Sequence, residues 1–188
     1  MAYDRGRVGL LPVARTRDEA QLYMDLHPCD ACGGVDVTWH SALTERDGFP
    51  ARRYSGQCGG CAAPREFVFA LPERPELPAP DAVVFFGTDR SQLLDAGEWL
   101  LVSDLCAQAG SIPAGSDAER SEARESMAIA AAAVTEVLKF VPDGAEEVPG
   151  SGFWSDRGRT VRDREPGRFR RRRLTIVRDT YRDALDRM

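Results

Sequence analysis

Two short segments decide how the first part of this chain folds: HPCDACGG at residues 27–34 and GQCGGC at residues 56–61. Each contains two cysteines separated by two residues, and each is rich in glycine, which permits tight turns. Two such C-x-x-C turns that face each other place four thiolates at the corners of a tetrahedron, a ligand set that suits Zn²⁺. The sequence therefore predicts a structural zinc cofactor, with the metal ligands Cys29, Cys32, Cys58 and Cys61.

Other chemistry for the same cysteines is open at this stage. The two pairs could form two disulfides, or one pair could be a redox-active C-x-x-C, although no βαβ pattern surrounds either of them. His27 or His40 could also replace one cysteine as a ligand. If cysteine fills all four positions, no place is left for a bound water, and a catalytic zinc is not expected.

The two cysteine pairs and the segment between them resemble a zinc ribbon. The resemblance covers residues 29–71 and implies a three-stranded antiparallel sheet. We expect strands at 35–45, 51–57 and 65–71, with Asp47-Gly48 as the turn of the first hairpin. The resemblance transfers metal ligands only, because zinc ribbons serve nucleic-acid binding, protein binding and scaffolding alike.

The pattern along the chain predicts an α+β fold in four segments. A capping-box sequence from Thr16 to Glu19 starts a first helix, so residues 1–26 form an N-terminal arm and helix. The zinc ribbon follows at 27–71. The prolines of PERPELPAP make 72–80 an extended linker. Residues 81–188 form a mainly α-helical domain.

Three helices organise this second domain. Asp95 with Glu98, and Ser116 with Glu119, have the capping-box form of a helix start. We expect the first helix to extend to about residue 109, the second over 117–141, and a terminal helix to end the chain. The spacing of apolar residues predicts that the terminal helix packs against the long one. The predicted inward stripes are Val102, Leu105, Cys106 and Ala109 in the first helix; Met127, Ala131, Val134, Leu138 and Val141 in the second; and Leu174, Val177, Tyr181, Leu185 and Met188 in the last.

Composition narrows the class of protein. No segment approaches the roughly 20 apolar residues of a membrane span, and the N-terminus lacks the apolar region of a signal peptide. Four of the five cysteines have metal-ligand spacing, which fits a reducing cytoplasm. The net charge of −5 is uneven, with −10 over residues 72–150 and +6 over residues 151–188. These two blocks could neutralise each other or face a partner.

Charged clusters are the candidate binding surfaces. Arginines crowd the start of the terminal helix, where they could bind nucleic-acid phosphates, contact a protein, or pair with the acidic segment 117–147 of the same chain. The first half of the long helix carries a complementary acidic group. The predicted partner-binding residues are Glu119, Glu122, Glu125, Arg168, Arg170, Arg171, Arg172 and Arg173.

No familiar catalytic motif is present in the sequence, and only two histidines exist for acid–base chemistry. The sequence therefore favours a cytoplasmic, non-catalytic interaction protein that binds another protein through charged surfaces, such as an immunity-type protein or an adaptor. The alternative is a nucleic-acid-binding zinc-ribbon regulator that uses the cluster Arg168–Arg173.

Overall fold

The computed structural model describes residues 11–73, 85, 87–113 and 115–188. The chain divides into two compact units, Met1–Pro75 and Glu76–Met188. The predicted α+β class is confirmed: a three-stranded antiparallel sheet belongs to the N-terminal half, and most helices belong to the C-terminal half. Most of the predicted linker at 72–80, and most of the apolar segment after it, lie outside the described residues.

Helix α1, Arg17–Asp25, begins where its capping residue predicts, because the hydroxyl of Thr16 accepts a hydrogen bond from the amide of Glu19. The second hydrogen bond of the predicted capping box, from the amide of Thr16 to the Glu19 carboxylate, is replaced by another. The buried Glu19 carboxylate accepts hydrogen bonds from the amide and guanidinium of Arg15 instead of the amide of Thr16. An ion pair with an adjacent arginine is the stronger interaction for a carboxylate removed from water.

The sheet is a simple meander of strands β1 (His40–Arg46), β2 (Phe49–Gln57) and β3 (Pro64–Ala70), in the order β1-β2-β3. Asp47 and Gly48 form the first turn with φ values of 52° and 82°, as a two-residue hairpin requires. Strand β1 starts five residues later than predicted. The backbone before it serves the cysteine turns: Gly34 accepts from the amide of Cys29, and Asp36 accepts from the amide of Gly59.

An aromatic cluster forms the core of this unit. Tyr23 of α1 meets Phe67 and Phe69 edge to face, with ring centroids 5.9 and 5.5 Å apart. Tyr54 is buried against Phe69 and is therefore a packing residue. Trp39 is half-buried against Phe67. These contacts bury part of β2 and β3, whereas the residues of β1 are exposed.

The second unit contains helices α2 (Ala96–Gly110), α3 (Asp117–Leu138), α4 (Asp156–Arg164) and α5 (Arg171–Arg187). Helix α3 packs against both α2 and α5, and α4 packs against α2. The packing of α5 on α3 is the contact that the apolar stripes predicted. None of the helices in the described part of the chain is long and apolar enough to cross a membrane. The core contains mainly aromatic and branched side chains, among them Trp99, Leu100, Val134, Phe140, Phe169 and Leu174.

The stripe predicted to face inward from α2 is partly wrong. Val102 is buried, but Leu105 is 54% exposed, Ala109 is exposed and Cys106 is half-buried. Because α2 contacts two helices, its buried face is wide and centred elsewhere, on Trp99 and Ser103. The Ser103 hydroxyl donates to the carbonyl of Ala130 in α3, so a polar residue occupies the helix–helix contact.

The starts of α2 and α4 converge on the buried carboxylate of Asp95. One oxygen accepts from the amides of Gly97 and Glu98, which forms the predicted capping box. The other oxygen accepts from the amides of Trp154 and Ser155 and from the Ser155 hydroxyl, at 2.8–2.9 Å. Ser155 in turn caps α4. One side chain therefore fixes two helix starts.

Glycine allows this convergence. A Cβ atom placed on Gly97 would lie 2.3 Å from the carbonyl oxygen of Gly158, and one placed on Gly158 would overlap the Asp95 carboxylate. Neither backbone has a positive φ, so glycine is required here for space rather than for conformation.

Candidate metal centre and charged surfaces

Each cysteine pair lies in a tight turn closed by backbone hydrogen bonds. The backbone carbonyl of Cys29 accepts hydrogen bonds from the amides of Cys32 and Gly33. The backbone carbonyl of Cys58 likewise accepts one from the amide of Ala62, at 2.7 Å. Gly33 and Ala62 have positive φ values of 73° and 57°. The two turns thus reverse the chain at equivalent positions, and both direct their sulfur atoms to one place.

The glycines near the cysteines act in two different ways. Gly33 provides the positive φ that the glycine-rich sequence predicts, whereas the second turn uses Ala62. The other glycines give room: a Cβ on Gly34 would lie 3.3 Å from the sulfurs of Cys32 and Cys58, and one on Gly59 would lie 2.5 Å from Asp36. The sequence correctly indicates the turns but not which residue takes the left-handed conformation.

The four sulfur atoms lie within 4.8 Å of one another. The Sγ atoms of Cys29 and Cys61 are 3.6 Å apart, and those of Cys32 and Cys58 are 3.5 Å apart. A tetrahedral Zn²⁺ with Zn–S bonds of about 2.3 Å separates its sulfurs by about 3.8 Å. The cluster therefore has the size of a tetrahedral metal site.

Bonded disulfide sulfurs are about 2.05 Å apart, and all five cysteines of the chain are free thiols in this structure. The spacing therefore favours a metal site over two disulfides. Cys29 and Cys58 are buried, whereas Cys32 and Cys61 are exposed.

Backbone amides prepare the buried pair to bind a cation. The N–H of Ala31 lowers the pKa of Cys29 to about 7, and the N–H of Gly60 lowers the pKa of Cys58. A hydrogen bond to the thiolate stabilises the charged form, which is the form that binds a metal. The donor set as a whole could hold a metal ion and is consistent with zinc.

Neither histidine joins this cluster among the described residues. Nδ1 of His27 lies 2.6 Å from the carbonyl oxygen of Tyr23, and its ring stacks on the Tyr23 ring at 3.9 Å. His40 is exposed at the start of β1. His27 thus lies just beyond the end of α1 and covers the aromatic cluster.

The predicted arginine surface separates into residues that hold the fold and residues that face solvent. Arg168 belongs to the first kind: its two terminal nitrogens bind the two carboxylate oxygens of Asp104 in α2, at 2.8 and 2.5 Å. This contact raises the pKa of Arg168. Internal pairing of Arg168 therefore uses α2, not the acidic segment 117–147.

Arg171 is also committed to the fold. Its guanidinium donates to the carbonyls of Val141, Pro142 and Ala145 at 2.8–3.1 Å, and its amide donates to Glu146. These groups lie in the loop that follows α3. Arg171 thereby supplies donors to a run of carbonyls that no helix satisfies.

The remaining arginines are exposed. The guanidinium of Arg170 lies 4.0 Å from Glu147, and both side chains are largely in solvent. Arg172 and Arg173 are exposed and form no ion pair or side-chain hydrogen bond with any residue that the structure describes. Because α5 starts at Arg171 without a side-chain cap, these cations lie at the unfavourable end of the helix dipole.

The acidic residues of α3 divide in the same way. The Glu119 carboxylate accepts from the amides of Gly115 and Ser116, which lowers its pKa and completes a capping box. Glu122 and Glu125 are exposed, and no described residue pairs with either. The structure does not bring the acidic and basic candidates together as ion pairs within its described part.

Sequence reasoning missed the most densely bonded charges of the helical unit, which are buried. Glu98 is almost fully buried, and its carboxylate lies 3.6 Å from the guanidinium of Arg157 in α4. Burial, together with the adjacent Asp95 carboxylate, raises the pKa of Glu98 to about 7. The capping boxes were the only sequence signal for these residues, since their other partners lie about 60 positions away in the chain.

Comparison with protein-family models, with curated proteins and with solved structures finds no significant match to this chain.

Proposed function

We propose that this protein is a non-catalytic protein-binding module whose N-terminal region is a zinc ribbon with a structural Zn²⁺. The ion would be held by Cys29, Cys32, Cys58 and Cys61. It would cross-link the two turns and take no part in a reaction. The fit rests on four sulfurs within 4.8 Å of one another and on cysteine at each of the four tetrahedral positions, so that water has no place in the coordination shell.

A single observation supports the binding role most directly: the arginine cluster is only partly used by the fold. Arg168 and Arg171 are bonded internally, while Arg172 and Arg173 have no described partner. Exposed, unpaired cations at a helix start are unfavourable for the folded monomer. We propose that they are retained for a partner that carries acidic groups.

A second surface of opposite sign fits the same role. Glu122 and Glu125 lie on the exposed side of α3 near its start. A partner with both signs of charge would match two patches rather than one, which favours specific recognition of a protein. An immunity-type protein or an adaptor within an assembly has this character.

Nucleic acid is the weaker candidate for the arginine cluster. Binding to a phosphate backbone rests on several simultaneous cation–phosphate contacts. The fold leaves only Arg170, Arg172 and Arg173 of the cluster exposed, and the first of these lies beside Glu147. The chain as a whole is acidic, with a net charge of −5, which opposes approach to a polyanion.

The test compares two pairs of exposed arginines on the same helix. Full-length protein would be used as bait in a nuclease-treated extract of the native cell, in parallel with the variants R172A/R173A and R182A/R187A. We expect a protein partner that is lost with the first variant and retained with the second. Retention of that partner by both variants would contradict the assigned surface.

The alternative is tested on the same proteins by titration with duplex and single-stranded DNA and RNA at low and near-physiological salt. Micromolar binding at near-physiological salt that falls steeply with added salt, and that R172A/R173A removes, would replace the proposal with a nucleic-acid-binding regulator.

A further inference from the structure

Within the part of the chain that the structure describes, the outer edge of β1 is an unpaired strand edge. All seven residues of His40–Arg46 are exposed, with Leu43 69% exposed. No other described residue pairs with this edge, since β2 is the neighbour on one side only. The opposite edge of the sheet, along β3, is paired at its last residue, where Ala70 bonds to Pro12 and Ala14. An open edge of this length is a template for another strand.

The hairpin decides which residues of β1 are able to bond outward. In a two-residue hairpin the closing pair, here Arg46 and Phe49, is hydrogen-bonded. Because bonding alternates along an antiparallel pair, the even-numbered residues of β1 bond to β2, and the odd-numbered residues point outward. Pro50 supports this assignment, since its carbonyl accepts from Leu71 on the β3 side. The outward donors and acceptors therefore belong to Ser41, Leu43 and Glu45.

We propose that β1 pairs antiparallel with β1 of a second copy of this chain, with Leu43 opposite Leu43 on the two-fold axis. Leu43 is the middle residue of the strand, so this register pairs all seven residues. It also matches outward-bonding residues to outward-bonding residues, which a shift by one residue would not. The two sheets join into one sheet of six strands.

The side chains of β1 are compatible with those of a second, antiparallel copy of the same strand. In this register Ser41 lies opposite Glu45 of the second copy, and His40 lies opposite Arg46, so no like charges face each other. The serine hydroxyl is a donor for the glutamate carboxylate at both ends of the pair. A shift that placed Glu45 opposite Glu45 would be repulsive. This self-complementarity selects a second copy over an unrelated strand.

The test is the mass of the full chain in solution, measured by sedimentation velocity from about 1 µM to about 300 µM. We expect a reversible dimer for the unchanged protein. L43K and L43E each place like charges on the axis, and we expect each to raise the dissociation constant at least about tenfold. An equimolar mixture of the two should restore the dimer, because opposite charges then meet. I176K, at an exposed position of α5, is the matched control and should dimerise normally.

Three results would overturn the proposal: a monomer over the whole concentration range, a dimer unaffected by L43K and L43E, or a mixture that remains monomeric. The side chain of Leu43 is largely in solvent, so neither variant removes core packing, and circular dichroism checks that each is folded. The measurement is independent of the proposed partner protein.

Discussion

Replacing Asp95 by alanine tests whether one carboxylate holds two helix starts. The change removes the acceptor for five hydrogen bonds: two from the first turn of α2, and three from Trp154 and Ser155 before α4. Asp95 is fully buried, so water does not replace it. Each buried donor left without a partner costs about 1–3 kcal/mol.

Taking the low end of that range for each of the five donors gives a loss of about 5 kcal/mol in the free energy of unfolding. Whole domains are stable by about 5–15 kcal/mol, so D95A should leave the helical unit marginal or unfolded. D95N is the more informative variant. Its amide oxygen can keep the two bonds to α2, but its NH₂ group would face three donors, for an expected loss of about 3 kcal/mol.

Urea unfolding followed by tryptophan fluorescence measures these losses, because Trp99 is buried in the same unit. The matched control is D156N, at the exposed first residue of α4, which should behave almost as the unchanged protein. If D95N and D156N have equal unfolding midpoints, the shared carboxylate does not stabilise the two helices and the reasoning fails.

Three further predictions follow from burial and metal binding. Burial raises the pKa of Glu98 from 4.5 to about 7. A carboxyl whose pKa is higher in the folded than in the unfolded state stabilises the fold most at a pH below the unfolded-state pKa, so the free energy of unfolding should fall by up to about 3 kcal/mol as pH rises through 4.5–7. Urea unfolding at several pH values checks this, because the variant E98Q should lack the fall. L174A removes a buried side chain and should cost about 2–5 kcal/mol, whereas I176A, at an exposed position of the same helix, should cost little; equal melting temperatures would contradict the α3–α5 packing. A strong chelator, or C32S, should release about one zinc per chain and unfold the sheet region, because such sites supply roughly 10–16 kcal/mol; elemental analysis that finds no zinc in folded protein would refute this.

Local sequence patterns predicted the local structure well. A capping box needs only residues three apart, and those at Asp95 and Ser116 both form. The hairpin at Asp47-Gly48 forms for the same reason, since both its residues take the positive φ that the turn requires. The cysteine cluster was also predictable, because the C-x-x-C spacing fixes each half of it and the strands between bring the halves together.

Apart from the packing of α5 on α3, contacts between distant segments were not predictable from periodicity. The apolar spacing of α2 pointed to Leu105, but the helix buries the side that meets two neighbours, and that side contains Ser103. The second set of bonds to Asp95 comes from residues about 60 positions later. Such a contact cannot be predicted from the properties of a single residue, because the contact depends on where the rest of the chain is packed.

The partition of the arginine run has a consequence for how this sequence can vary. Arg171 donates hydrogen bonds to three carbonyls at once, and Arg168 donates to both oxygens of one carboxylate. A planar fork can do this and an ammonium group cannot. Arg172 and Arg173 present only charge to solvent. Homologues of this protein should therefore keep arginine at positions 168 and 171 and exchange it freely with lysine at positions 172 and 173, so that neighbouring basic positions diverge at two different rates.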